Sequence, residues 1–286
     1  RDPWIRQVAD SLSTAAQNSV PEKKDAMTRL KSLEDQIVKA MPGSDLAAYI
    51  AFRRMQAGYA QRLLNPKADF NKIQEEWLKQ LAGFIKDYPK APDGADALLQ
   101  LGMVSEFTGK EKDAAKWYRQ LVDDFESHEL AKRGRGALNR LELEGKQLKL
   151  SGSKLSGGTF SIDDVDSKLT IVYYWASWNQ QTVGDFAKLK LLLKTYGDKG
   201  VKLVCVNLDN SEKDAKDFLE KAGIDAIHLH GKEGLDSAFA ADYGIMVLPH
   251  LFLVDADGKV VSRRAQVATL EMLLMKELGI KPEEKK

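Results

Sequence analysis

The sequence predicts two parts of different class: an all-helical domain over residues 1–148, then an α/β domain over 149–286 whose sheet is mostly parallel. Three observations predict this. Up to about residue 148, apolar residues recur at steps of three and four between short Pro- or Gly-containing breaks. Beyond about 150, continuous apolar runs rich in β-formers, LTIVYYWA (169–176) and VKLVCVNLD (201–209), alternate with amphipathic stretches. The length of 286 residues fits about two domains.

In the first part helices are expected over 4–17, 21–40, 45–64, 69–87, 93–107, 111–126 and 129–145. The fourth is the most regular: Phe70, Ile73, Trp77, Leu81, Phe84, Ile85 and Tyr88 form one apolar stripe. Pro21, Pro42-Gly43, Asn65-Pro66, Pro89, Pro92 and Gly109 separate the segments, and loops this short favour antiparallel helix pairs. Within residues 84–126, Leu101-Gly102, Gly109 in the turn, Ala114 and Tyr118 alternate small and large residues. This stretch resembles a tetratricopeptide-type helix pair, although Glu126 stands where a closing proline is usual. A plain antiparallel bundle is the alternative. Lys23, Lys24, Arg53, Arg54, Arg133 and Arg135 are mixed with acids and read as solvated helix faces.

In the second part, LSGGTFSIDDVDS has the Gly and Asp content of a hairpin, with Asp163, Asp164 and Asp166 expected in its turn. A strand follows at 169–176, a helix at 180–196, a strand at 201–209, and a helix at 211–222 ending at Gly223. Then come a short strand at 226–230, a helix at 233–242, a hairpin at 250–261 turning at Asp257-Gly258, and a closing helix at 267–278. The order is βαβ, then α, then ββα, which builds a mostly parallel sheet with one antiparallel hairpin and helices on both faces.

That order, with YYWASWNQQ after the first core strand and YGIMVLPHLFLVDADGKVV near the end, resembles the thioredoxin superfamily and within it the TlpA-like thiol–disulfide oxidoreductases (redoxins) of the bacterial envelope. The resemblance covers roughly 130 residues. In that family the first core strand runs into Trp-Ala-x-Trp-Cys-x-x-Cys at the start of a helix. Here Trp175, Ala176, Ser177 and Trp178 keep the aromatic part, Asn179 stands at the nucleophile position, Thr182 at the resolving position, and Gln180 and Gln181 between them. The family's second landmark is a cis-proline loop facing that motif, represented here by Val247, Leu248, Pro249 and His250. The resemblance implies a cis Leu248–Pro249 bond and a groove between 178–181 and 247–250 in which an extended peptide adds as a strand. Trp178 is its expected anchor, with Gln180, Gln181 and His250 at the rim.

Thiol–disulfide exchange needs an attacking thiolate and a resolving thiol. Asn179 and Thr182 supply neither, but Asn is a good helix N-cap, so position 179 is expected to keep a capping role and lose the chemistry. Cys205 is the one cysteine. Within its strand it reads as a small core residue, with a reactive thiol as the alternative. Of the four histidines, His228 and His230 share a strand face and His250 follows the proline. They read as hydrogen-bonded or solvent-facing, with a metal site as the alternative. No phosphate loop, dinucleotide fingerprint or Ser-His-Asp order is present, and no cofactor is expected.

The net charge of +1 gives no general attraction to nucleic acid or anionic lipid, and no apolar run is long enough for a transmembrane segment. The chain begins at Arg1 without a methionine, consistent with a mature form that an export signal or lipid anchor could have preceded. Periplasmic or envelope localisation follows from the resemblance alone. The leading expectation is a redox-inactive thioredoxin-like module that binds a protein or extended peptide, or acts as an assembly scaffold. The alternatives are a divergent thiol–disulfide oxidoreductase or redoxin using an atypical site, and a structural component whose groove is degenerate.

Overall fold

The computed structural model describes residues 2–18 and 25–281. Pro21, Lys23 and Lys24 lie outside the described residues. The chain divides into two compact units, Arg1–Gly134 and Arg135–Lys286.

The first unit is helical: α1 (Asp2–Gln17), α2 (Asp25–Ala40), α3 (Asp45–Leu63), α4 (Phe70–Asp87), α5 (Asp93–Phe107), α6 (Glu111–Asp124) and the first turns of α7 (Glu129–Leu141). Local chemistry starts several of them. The Ser44 hydroxyl accepts from the Ala47 N–H and opens α3, and the Asp69 carboxylate accepts from the Lys72 N–H and opens α4. The stripe on α4 is buried at Ile73, Trp77, Leu81, Phe84 and Ile85, and Phe84 meets Phe52 of α3 at 5.0 Å between ring centroids. Phe70 departs from the stripe. As the first residue of α4 it has no turn before it to cover its ring, and it is 58% exposed. The small-against-large pairing in α5 and α6 is physical: a Cβ on Gly102 would lie 2.3 Å from the Tyr118 ring.

Arg53 is not a solvated face. Its guanidinium donates to Asp10 at 3.1 Å and to Asp93 at 3.3 Å and lies 4.3 Å over the Tyr49 ring, joining α1, α3 and α5. Arg54 pairs with Glu34. Both arginines sit where helix faces meet, so their charges are spent inside the unit.

The second unit holds a five-stranded sheet of order β5-β4-β3-β6-β7. Its strands are β3 (Leu169–Trp175), β4 (Val201–Asn207), β5 (Ile227–His230), β6 (His250–Asp255) and β7 (Val260–Ser262). A separate hairpin of β1 (Ser151–Ser153) and β2 (Thr159–Ser161) precedes it. β3 pairs parallel with β4 and antiparallel with β6. All seven residues of β3 are buried, so both faces of the sheet are covered. Alternation divides the core in two. Val172 and Tyr174 face a cluster with Phe252, Tyr243 and Leu229, whereas Ile171, Tyr173 and Trp175 face one with Phe186, Leu189 and Leu270. The helices of this unit are α8 (Gln181–Tyr196), α9 (Glu212–Ala222), α10 (Ala238–Ala241) and α11 (Leu270–Glu277).

Three expectations are corrected. α7 stops at Leu141 instead of 145, because the chain turns to lay the Gly145 N–H on the Val260 carbonyl and the Leu148 N–H on the Gly258 carbonyl. The β1–β2 turn is made by residues 154–158, with Gly157 and Gly158 at φ of 94° and 84°; Asp163 and Asp164 lie beyond β2 in a short turn that the Ser161 hydroxyl caps. The helix expected over 233–242 is broken: Gly234 sits at φ 57° and Ser237 is extended, so only Ala238–Ala241 is α-helical.

Candidate functional site

The site lies where β3 ends and α8 begins. Asn179 ends the loop, and Gln180 already has helical backbone angles of −60° and −32°. The Asn179 Oδ1 accepts from the Gln181 N–H at 3.0 Å, which is an N-cap bond from Ncap to N2. The other end of the same amide reaches across: its Nδ2 donates to the Leu248 carbonyl at 2.8 Å. One partner is a donor and the other an acceptor, so the amide has one satisfactory orientation. Through this side chain, the two segments singled out from the sequence meet.

Thr182 is the second residue of α8. It is fully buried, and its hydroxyl donates to the Ala176 carbonyl at 3.1 Å, tying the helix back to the strand end. Trp178 is 61% exposed and Val247 66%, with Gln180 and Gln181 also exposed. The Leu248 side chain is buried, and the Leu248–Pro249 peptide is cis. His250 opens β6 with its ring turned inward, edge-on to Tyr174 and to Phe252 at 6.5 and 4.9 Å. Burial, with the Arg140 guanidinium nearby, pushes its pKa down to about 3. The imidazole packs against aromatic rings and does not point outward with the exposed Gln180 and Gln181.

Two carboxylates complete the site. Asp209 is buried at the end of β4. It accepts from the Ser177 N–H at 3.0 Å with both oxygens, from the Ser177 hydroxyl at 3.0 Å, and from Asn207 Nδ2 at 2.7 Å. It fixes the loop residue beside Trp178 to the neighbouring strand. His230 joins the same network, Nδ1 to Asn207 Oδ1 at 2.9 Å. Asp185 is buried on the inner face of α8, where Tyr173 donates to it at 2.9 Å; burial raises its pKa. Both signals were visible in the sequence. Asp209 is the acid that terminates a central apolar strand, and Asp185 interrupts the 182–186–189 stripe of α8.

Cys205 is fully buried, and burial raises its thiol pKa well above the ordinary range. His228 lies at 3.5 Å from the Ile224 carbonyl. Neither sits with Asn179.

The turn before the proline loop has its own brace. Arg140 on α7 is buried and donates to the Tyr243 carbonyl at 2.9 Å and the Gly244 carbonyl at 3.3 Å. Asn139 donates to the Asp242 carbonyl at 3.3 Å. Gly136, one turn earlier, lies so close that a Cβ there would be 2.0 Å from the Ala241 carbonyl oxygen.

Comparison with known proteins gives this geometry its family. Residues 166–260 match a family model described as thioredoxin-like. A thiol-disulfide oxidoreductase ResA of Bacillus thuringiensis (strain Al Hakam) is 26% identical over 119 residues, 42% of this chain and 67% of that protein. The thioredoxin-like protein YneN of Bacillus subtilis is 29% identical over 109 residues, 37% of this chain and 61% of that one. A solved thiol:disulfide interchange protein from Bacteroides sp. aligns with a TM-score of 0.43 at 24% identity, covering 49% of this chain and 93% of its own. The C-terminal half of this chain is a thioredoxin-like domain with thiol-disulfide oxidoreductases among its relatives.

Proposed function

We propose that this chain is a redox-inactive thioredoxin-like protein of the bacterial envelope whose C-terminal domain, residues 149–286, binds a protein or an extended peptide beside Trp178 and Leu248. One observation carries the reading. Both positions at which the resemblance expects a thiol hold residues already committed to structural bonds: Asn179 to Gln181 and Leu248, Thr182 to Ala176. An amide and a hydroxyl cannot exchange with a disulfide. The thiol at Cys205 has no exposed surface and is held protonated by burial, which opposes the alternative of an enzyme built on that residue. The exposed Trp178 and Val247 offer apolar surface of the kind that anchors interfaces. The helical domain, residues 1–148, contributes an assembly scaffold. Envelope localisation rests on the likeness to thiol-disulfide oxidoreductases; among the described residues no helix is long and apolar enough to cross a membrane.

The test is reduction of insulin with dithiothreitol as electron source. The chain is expected to leave the rate of B-chain precipitation at that of the protein-free control. Turnover above the control, abolished by Cys205→Ser, would refute the redox-inactive reading.

A further inference from the structure

The backbone around Leu248 is half open. Among the described residues, no backbone group of Met246 or Val247 takes part in a hydrogen bond, and neither does the Leu248 N–H, whereas the strand from His250 onward is paired with β3. The Leu248 carbonyl is occupied by Asn179 Nδ2 at 2.8 Å. The Asn179 amide is itself held at its other end by the Gln181 N–H. An ordinary peptide residue pairing with Leu248 presents a carbonyl to the Leu248 N–H and an N–H to the Leu248 carbonyl. The first partner is available and the second is taken. A residue bearing an N–H must therefore displace Asn179, crowd beside its Nδ2 on the carbonyl's second lone pair, or bury an unsatisfied donor.

We propose that the Leu248 position selects an extended peptide carrying proline at the paired residue, with Asn179 as the specificity-determining group. Proline brings the carbonyl and lacks the N–H, so it pairs with Leu248 while Asn179 stays in place. Its pre-set φ keeps the flanking residues extended at small entropic cost. Trp178, adjacent to Asn179 in the chain, and Val247, adjacent to Leu248, supply exposed aromatic and aliphatic surface for a pyrrolidine ring. This deepens the peptide-binding reading above and rests on it.

The probe is a phage-displayed random dodecamer library selected on the immobilised full chain. Each isolated peptide is resynthesised with its prolines replaced in turn by N-methylalanine and by alanine. Binding to wild type, Trp178→Ala and Asn179→Asp is read by fluorescence polarisation. Peptides that lose affinity on Trp178→Ala are expected to contain one proline where N-methylalanine costs less than about threefold and alanine about tenfold. Asn179→Asp keeps the cap on Gln181 but donates nothing to Leu248, so the alanine penalty should fall to about threefold or less. Asn179→Ser, which also keeps a capping oxygen, repeats the measurement if the aspartate variant misfolds. Peptides that depend on Trp178 yet tolerate alanine at every proline overturn this inference and leave peptide binding standing. So does an alanine penalty unchanged in the Asn179 variants, since the peptide N–H would then be using the carbonyl's second lone pair. If no selected peptide depends on Trp178, the peptide-binding reading fails, and the proline inference fails with it.

Discussion

Asn179 does two jobs with one amide, and neither requires a thiol. Its oxygen caps α8 and its nitrogen closes the Leu248 carbonyl. Thr182 buries a hydroxyl that ties the first turn of the helix to the end of β3. These are conservative uses of the positions, because they hold the strand–loop–helix geometry without redox chemistry. The backbone frame should therefore accept the missing pair. Helix geometry, with about 1.5 Å of rise per residue and a Cα radius of about 2.3 Å, puts Cα atoms three residues apart about 5 Å from each other, inside the roughly 4.4–6.8 Å Cα separation that a disulfide spans. The Asn179→Cys, Thr182→Cys double variant is expected to form an intramolecular disulfide in oxidised glutathione. Thiol titration in denaturant would then find only Cys205 free. A count of three free thiols per chain would show that the loop geometry no longer permits the bridge. Asp209 predisposes the outcome, since its bonds to Ser177 fix the loop from outside the pair.

Elements show what close packing asks of single positions. α7 meets the 241–244 turn backbone to backbone at Gly136, with Arg140 and Asn139 donating to the carbonyls beyond it. A methyl group at 136 would meet a carbonyl oxygen at 2.0 Å and the Gly244 nitrogen at 2.3 Å, and neither can rotate away. Gly136→Ala is expected to cost roughly 1–3 kcal/mol in urea unfolding of the second unit, within the range for overpacked sites. Gly197→Ala is the matched control. That position is helical, at φ −58°, with nothing within 4 Å of the added atom, so it should be neutral or stabilising by up to about 1 kcal/mol. Equal losses in the two variants would mean that backbone freedom, and not contact, decides the cost.

The same contacts explain how far the sequence could be read. Elements specified by local pattern, α4 by its periodic apolar stripe and β3 by its continuous apolar run of β-formers, were legible because the nearby residues alone specify them. The two segments of the candidate site were legible through family resemblance. The broken helix at 233–242 was not, because a glycine at positive φ and an extended serine override a pattern that reads as helical. Nor were the bonds from Asp209 to Ser177, which span 32 residues, or from Arg140 to Tyr243, which span 103. Such pairings depend on where strands and helices end in space, and no local signal carries that.

At the scale of the molecule, burial of histidine sets a pH dependence on one of the two units. His228, His230 and His250 all lie in the second unit, and burial lowers the pKa of each, furthest at His250, to about 3. The unfolded chain takes up a proton near pH 6.5 at each histidine, whereas folded His250 remains neutral until far lower pH. The unfolded state thus binds more protons in that window, so stability is full above about pH 6.5 and is lost as pH falls toward 3. At about 1.4 kcal/mol per pH unit, His250 alone removes up to about 2 kcal/mol between pH 7 and pH 5. Burial raises the pKa of Asp93 in the first unit and of Asp185 in the second, a shift of opposite sense that favours the folded state only as pH falls through the carboxylate range, so it does not distinguish the units. The second unit should therefore be the acid-labile one. Its thermal midpoint is expected to fall by roughly 4–8 °C from pH 7 to pH 5, followed by near-ultraviolet circular dichroism of its buried Trp175 and tyrosines. His250→Phe, placed between Tyr174 and Phe252, and His250→Gln both remove the titrating group. Either variant can lower the midpoint at pH 7, because the ring's hydrogen bond to the Arg263 backbone is disturbed. The readout is the slope with pH, which should flatten to what His228 and His230 sustain. A slope equal to wild type in both variants would place the acid sensitivity elsewhere and remove His250 from the account.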